Sequence, residues 1–213
     1  IDRDLVLNNT LYCLALMQHY GAPTRLLDCT YSPFVAAYFA LECKPKKIDS
    51  VEPASVIWCF NQQWLNDEAI KTVKGHKKKL LKERPKSDEA RNDDKNNFIP
   101  LYMPEWRRKL PQKFISSENP ILLNKRLIVQ KGIFLCPGKV SDSFMSNLKA
   151  MAGWERINSI QKLRLDFANK PEKRNESLDY LQDMNVDNAT LFAGLDGFAR
   201  SLQPRLLYFR DLG

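Results

Sequence analysis

The sequence lacks the short motifs that mark the commonest cofactor and nucleophile sites. It contains no G-x-x-x-x-G-K-[ST] phosphate loop, no G-x-G-x-x-G dinucleotide fingerprint and no G-x-S-x-G nucleophile turn. A P-loop site, a Rossmann cofactor site and a nucleophile elbow are therefore not supported. Any nucleotide chemistry in this chain has to use a different arrangement of residues.

Histidine is scarce and the cysteines are scattered. The 213 residues include 2 histidines and 5 cysteines, an odd number without any C-x-x-C pair. Structural zinc sites need four closely arranged Cys or His ligands, so no metal is expected. Neither His19 nor His76 has a persuasive cysteine partner for a Cys-His protease. Separated thiols in apolar surroundings fit a reducing compartment.

Long apolar runs are also missing. No window approaches the run of about 20 apolar residues that a membrane helix needs, and no signal segment opens the chain. We therefore expect a soluble, cytoplasmic protein without membrane contact. The length predicts a single domain over residues 1–213. Because the first residue is Ile1 rather than Met, we expect a further segment to precede it.

Positive charge is abundant and concentrated. The formal net charge is +8, and residues 71–86 hold eight basic side chains against one acidic one. Such a segment can bind phosphate backbones, and Trp106 beside Arg107 and Arg108 could add base stacking. The alternatives are a solvated basic loop and a structural tryptophan in a linker. The candidate nucleic-acid contacts are Lys74, Lys77, Lys78, Lys79, Lys82, Arg107 and Arg108.

Apolar spacing predicts an irregular mixture of helices and strands. It predicts helices over 9–20, 33–43, 171–184 and 188–202, and extended or strand segments over 24–29, 54–60, 126–130, 132–136 and 162–167. Residues 66–97 carry few apolar side chains and are interpreted as an exposed basic insertion with a short helix over 70–83. The pattern predicts an α+β fold in which a small mixed or antiparallel sheet is flanked by helices.

The stretch QHYGAPTRLLDCTYSP, residues 18–33, gathers polar side chains around one predicted strand. A helix ends near His19, the strand carries Arg25 and Asp28, and a new helix begins after Ser32. Helix N-termini offer unpaired N–H groups and positive potential to anions, so this junction is a candidate binding site. The alternative is structural: an ion pair of Arg25 with Asp28, a capping serine and a satisfied histidine.

Three stretches of the sequence resemble one known family. QHYGAPTRLLDCTYSPFVAAYFA resembles the hallmark of the FRG domain family, which typically reads Q-H-Y-G-x-P-T-R-L-L-D-W-T-x-x-P. NKRLIVQKGIFL and TLFAGLDGFA are similar to two further elements of that family, so the resemblance extends over most of the chain. Cys29 replaces the usual tryptophan. The Phe-Arg-Gly run that names the family is absent, and we expect it upstream of Ile1.

The resemblance implies a protein of bacteria, phages or mobile elements, remotely similar to ADP-ribosyltransferases. An NAD-using toxin or defence effector is the implied function, with catalytic Arg25, Asp28 and Gln130 and ligand-binding His19, Tyr20, Thr30, Ser32 and Arg126. Gln130 stands where those enzymes place a glutamate. An amide can hold a ribose hydroxyl but cannot offset positive charge in the transition state, which favours a weakened enzyme or a binder. The alternative is a non-enzymatic nucleic-acid-binding or protein-interaction module.

Overall fold

A computed structural model describes residues 10–42, 54–83, 112–119, 125–167 and 170–192, together with 197 and 199. The helices within these ranges are α1 (Thr10–His19), α2 (Pro33–Glu42), α3 (Gln62–Glu83), α4 (Lys125–Val129), α5 (Phe144–Lys149), α6 (Pro171–Asp183) and α7 (Asn188–Leu191). The strands are β1 (Leu27–Thr30), β2 (Ser55–Phe60), β3 (Ile115–Glu118), β4 (Gly132–Pro137) and β5 (Ile160–Leu165). The mixture of small sheets and flanking helices confirms the predicted α+β class.

The strands form two small sheets. One has the order β1-β4-β3, and the other pairs β2 with β5. Strands β3 and β4 run antiparallel, with Ser116 opposite Cys136 and Glu118 opposite Phe134. No helix among the described ranges is both long enough and apolar enough to cross a membrane.

The chain divides into two compact units, each built from three separate stretches of sequence. The first contains Ile1–Leu27, Phe60–Ile121 and Phe134–Ile160. Its α3 buries Leu65, Ala69 and Val73, which recur at helical spacing, and lies against β3 through hydrogen bonds from the Ser117 amide and hydroxyl to Asn66 (3.2 and 2.9 Å).

The second unit contains Asp28–Cys59, Leu122–Ile133 and Gln161–Gly213. Its core joins α2 to α6 and α7, and its buried members are Val35, Tyr38, Leu41, Leu181 and Leu191. Arg174 of α6 donates a 2.9 Å hydrogen bond to the main-chain oxygen of Glu42 at the end of α2. The candidate junction between β1 and α2 therefore starts a helix that is anchored in this core.

Three sequence predictions were wrong in secondary structure. Residues 126–130 were expected to form a strand, but the segment is α4, closed by a hydrogen bond from the Gln130 amide to the Arg126 oxygen (2.9 Å) and by the positive φ of 48° at Lys131. Three apolar residues in a row, Leu127 to Val129, do not by themselves distinguish a helical turn from a strand. The strand begins only after this turn, at Gly132, as predicted.

The other two differences concern helix limits. Within the helix expected over 188–202, α7 ends at Leu191, because Phe192 leaves the helical region with φ −114° and ψ 79°. Residues 197 and 199 are helical again, and the other residues of this range after 192 lie outside the described ones. The helix expected over 70–83 begins at Gln62 instead, and Ala69 and Val73 are buried. The start of the segment interpreted as an exposed insertion is therefore part of a core. Residues 84–97 lie outside the described ranges.

Candidate functional site

The hydroxyl of Thr30 connects two segments that are far apart in sequence. β1 ends at this residue, and its Oγ1 donates a 2.7 Å hydrogen bond to the main-chain oxygen of Gln130. The Oγ1 of Thr30 also accepts a 2.9 Å hydrogen bond from the amide of Ser32, just before α2 begins. Next to it, the amide of Tyr31 donates to the oxygen of Lys131 at 3.1 Å. The β1–α2 junction is thus fixed to the turn after α4.

Gln130 extends this network to a third segment. Its side chain is 8% exposed, and Nε2 donates a 3.0 Å hydrogen bond to the oxygen of Leu191 at the end of α7. The amide therefore positions backbone and carries no charge. The structure places Gln130 next to Thr30, with the Nε2 of Gln130 bonded to the main chain of Leu191.

Arg126 supplies a cation in the same unit. Its guanidinium carbon lies 5.0 Å from the centre of the Phe192 ring, and Phe192 meets Phe39 of α2 edge to face, with the ring centres 6.0 Å apart. An arginine held against an aromatic face keeps its charge and its planar set of donors. The side chain is partly exposed, so its remaining donors can serve a phosphate or carboxylate.

Asp28 and Cys29 precede Thr30 on β1. Asp28 is exposed, and it is the acidic member of the predicted site set. Burial, and secondarily the charge of Asp28, raises the pKa of the Cys29 thiol to about 11. Cys29 is therefore protonated at neutral pH and is not a thiolate nucleophile.

Ser32 begins α2 as the sequence predicts. Its hydroxyl accepts a 3.4 Å hydrogen bond from the Val35 amide, and its main-chain oxygen accepts one from Ala36 at 3.1 Å. The hydroxyl contact is longer than a typical capping bond. The Thr30 hydroxyl also supports the start of this helix, because it accepts the shorter, 2.9 Å hydrogen bond from the Ser32 amide.

His19, Tyr20 and Arg25 belong to the first unit, whereas Asp28, Thr30, Ser32, Arg126 and Gln130 belong to the second. His19 ends α1 and meets Tyr20 at a ring distance of 5.2 Å; both are exposed. Gly21 takes the left-handed conformation predicted for it, with φ 84°, and Arg25 is partly buried. Nearby, the Thr24 hydroxyl bonds to Gln18 and accepts a hydrogen bond from the Leu26 amide.

The predicted nucleic-acid contacts are described only in part. Lys74 lies on α3 and is exposed. Lys77, Lys78, Lys79 and Lys82 continue the same helix, but their side chains fall outside the described part of the structure, as do Arg107 and Arg108 entirely. No group of three or more potential metal ligands occurs among the described residues.

Sequence reasoning missed Glu118, a perturbed carboxyl in the first unit. It ends β3, where burial raises its pKa to about 7 and a hydrogen bond with Ser116 opposes the shift. Its segment, Ile-Ser-Ser-Glu, has no apolar alternation, so nothing in the pattern indicated a strand. A carboxyl with this pKa can gain or lose a proton near neutral pH.

Comparison with known families supports the resemblance over part of the chain. The sequence model of the FRG domain matches residues 3–49. An FRG domain is therefore present, and the match contains α1, β1 and α2 with the His19-to-Ser32 segment. No curated protein and no solved structure shows significant similarity to the chain. The likeness to ADP-ribosyltransferases stays a prediction.

Proposed function

We propose that this FRG-domain protein binds an NAD-type dinucleotide at the β1–α2 junction, as part of a bacterial, phage or mobile-element toxin or defence effector. The observation that carries the proposal is the 2.7 Å hydrogen bond between Thr30 and Gln130, 100 residues apart. Both were assigned to one site from the family resemblance alone. Their direct contact supports a common site for that residue set.

Each side chain has a chemical role that fits such a ligand. Arg126 offers donors to a phosphate, and Asp28 offers an acceptor to a ribose hydroxyl. Thr30 and Gln130 act by positioning, since their bonds hold the turn, α4 and α7 together.

Binding is favoured over fast catalysis by the chemistry of Gln130. Cleavage of the nicotinamide bond builds positive charge on the ribose, which a carboxylate stabilises and an amide does not. Asp28 is then the residue that has to supply the negative charge. We expect tight binding of NAD with slow or absent release of nicotinamide.

Calorimetric titration of the whole chain with NAD tests this proposal. Arg126→Ala should weaken binding about 10- to 100-fold, the loss expected for one charge-assisted contact, while Arg126→Lys should retain part of the affinity. Lys173→Ala is the matched control, because Lys173 is an exposed cation in the same unit. Circular dichroism checks that each variant is folded.

Two results would contradict the proposal. One is the absence of NAD binding by the folded wild-type chain. The other is equal affinity in Arg126→Ala and Lys173→Ala. Release of labelled nicotinamide, measured with Asp28→Asn and Arg25→Ala beside the wild type, then separates an enzyme from a binder.

Non-enzymatic nucleic-acid binding through α3 is a second candidate. Lys71 and Lys74 are exposed on a continuous helix whose Leu65, Ala69 and Val73 are buried, so this helix presents positive charge to solvent. Lys71 also pairs with Glu68 at 2.6 Å. Replacing Lys71 and Lys74 by glutamate should abolish salt-sensitive binding if this helix carries it.

A further inference from the structure

The two-stranded sheet of the second unit presents an aromatic side chain together with two cations. The ammonium of Lys162 on β5 lies 4.1 Å from the centre of the Trp58 ring on β2. Because side chains alternate along a strand, Arg164 shares the face of Lys162, and Val56 shares the face of Trp58. Lys162 and Arg164 are exposed, and Val56 is 43% exposed.

The opposite face of β5 is the one that meets the core. Leu165 packs against the core cluster of α2, α6 and α7, whereas Leu163, on the same side of the strand, is 55% exposed. The face with Trp58, Lys162 and Arg164 is therefore turned away from that core.

The two cations on this face can bind an anion with little loss of existing interactions. Arg164 lies 3.7 Å from Asp166, but both side chains are more than half exposed, and such a pair contributes little in water. Lys162 is held over the indole by a cation–π contact, which leaves its donors free to turn toward an anion. A phosphate group can therefore replace either partner.

We propose that this face binds single-stranded nucleic acid, with Lys162 and Arg164 on neighbouring phosphates and one base stacked on Trp58. Residues two apart on a strand are separated by about 6.6 Å, which is close to the interval between phosphates in an extended single strand. On binding, the ammonium moves from the ring to a phosphate and a base takes its place. Stacking on an indole tolerates any base, so little sequence preference is expected.

This surface is separate from the residues of the proposed dinucleotide site. None of Asp28, Thr30, Arg126 and Gln130 takes part in it. Failure of NAD binding would leave this proposal unchanged, and its own failure would leave the dinucleotide site unchanged.

Fluorescence anisotropy of a labelled oligothymidine with the whole chain tests the phosphate contacts. Binding is measured between 50 and 200 mM salt for the wild type and for Lys162→Gln with Arg164→Gln. Each lost phosphate contact should reduce the slope of log affinity against log salt by about 0.7, so the double variant should lose about 1.4. An unchanged slope, or no binding by the wild type at 50 mM salt, would overturn the proposal.

A second lysine–tryptophan pair in the chain provides the matched control. The ammonium of Lys149 lies 5.8 Å from the Trp154 ring in the first unit, and Lys149 is likewise exposed. Trp58→Ala should weaken binding about 5- to 150-fold, Trp58→Phe should retain most of it, and Trp154→Ala should have no effect. Equal losses in Trp58→Ala and Trp154→Ala would contradict stacking on Trp58.

A separate double variant distinguishes binding by the basic helix α3 from binding by this face of the sheet. Lys71→Gln with Lys74→Gln should leave the salt slope of oligothymidine binding unchanged if the sheet is the site. A slope that falls only in that variant would assign the binding to α3 and reject the sheet.

Discussion

Thr30 shows how a single hydroxyl can define a junction. It donates to Gln130 and accepts from Ser32, so both its donor and one of its acceptor sites are used by main chain. A residue with this bonding positions neighbouring groups and is a poor candidate for direct chemistry. Ligand contact at the junction therefore depends on the more exposed Asp28 and Arg126.

Glu118 makes folding stability depend on pH. Burial raises its pKa from the ordinary value of 4.5 to about 7, so the folded chain holds a proton that the unfolded chain releases. Below pH 4.5 the carboxyl does not reduce the free energy of unfolding. The reduction grows between pH 4.5 and about pH 7 and reaches its full size above pH 7. Raising the pH should therefore lower the free energy of unfolding across this window.

Glu118→Gln removes this cost and should stabilise the protein at pH 8 by on the order of 2 kcal/mol, with little gain at pH 4.5. Urea unfolding at the two pH values measures the difference. Glu155→Gln, at an exposed glutamate of the same unit, should change neither value by more than about 0.5 kcal/mol. An equal gain from Glu118→Gln at both pH values would rule out the titration of Glu118 as its cause.

At the level of elements, one buried amide organises the turn between β4 and α5. Asn147 is fully buried; its Oδ1 accepts from the Lys139 amide (2.9 Å), and its Nδ2 donates to the oxygens of Lys139 and Ser143 (both 3.0 Å). Asp142 in the same turn binds Lys113 (2.7 Å) and Lys139 (3.0 Å), and the hydrogen bond from Lys113 is the main cause that lowers its pKa to about 2.

Asn147→Ala should destabilise the protein by about 2 to 3 kcal/mol, since it removes three hydrogen bonds between a fully buried amide and the main chain of the turn. Ser143→Ala removes only the capping contact with the Ser146 amide (3.1 Å) and should cost about 1 kcal/mol. Denaturant unfolding of both variants at neutral pH measures these costs. A loss for Asn147→Ala no larger than that for Ser143→Ala would show that the turn does not depend on the amide.

The elements with end signals were predictable from the sequence. Gly21 and Pro23 mark the end of α1, and Ser32 with Pro33 marks the start of α2, because these residues restrict the backbone locally. α4 was not predictable as a helix, since a short apolar run has no period of its own and its helical form depends on contacts made after folding. β3 has no such signal, and α5 was not predicted although Ser143 caps its start.

The candidate site stays a prediction, and its hydrogen bonds could not be read from the sequence. The resemblance assigns Thr30, Ser32 and Gln130 to one site, and in the structure hydrogen bonds join Thr30 to the main chain of the other two. The contact of Gln130 with Leu191 could not be read from sequence, because it depends on where α7 ends. The same limit hid the contact of Lys162 with Trp58, because these residues lie 104 positions apart in the sequence.

At the scale of the whole molecule, the residues that match the FRG domain include only part of the candidate site. Residues 3–49 give α1 to the first unit and β1 with α2 to the second. The acceptor of Thr30 comes from Gln130, and the aromatic support of Arg126 comes from Phe192, both outside the match. The candidate site therefore requires the longer chain, and a fragment limited to 3–49 would lack it.

Photo-crosslinking with an azido derivative of NAD, followed by tryptic digestion and mass spectrometry, tests the dinucleotide site most directly. We predict label on the peptides that begin at Leu26 and at Leu127, because these carry the β1–α2 junction and the turn after α4. Excess unlabelled NAD should suppress that label. Specific labelling confined to other peptides, such as those of α3, would contradict the account.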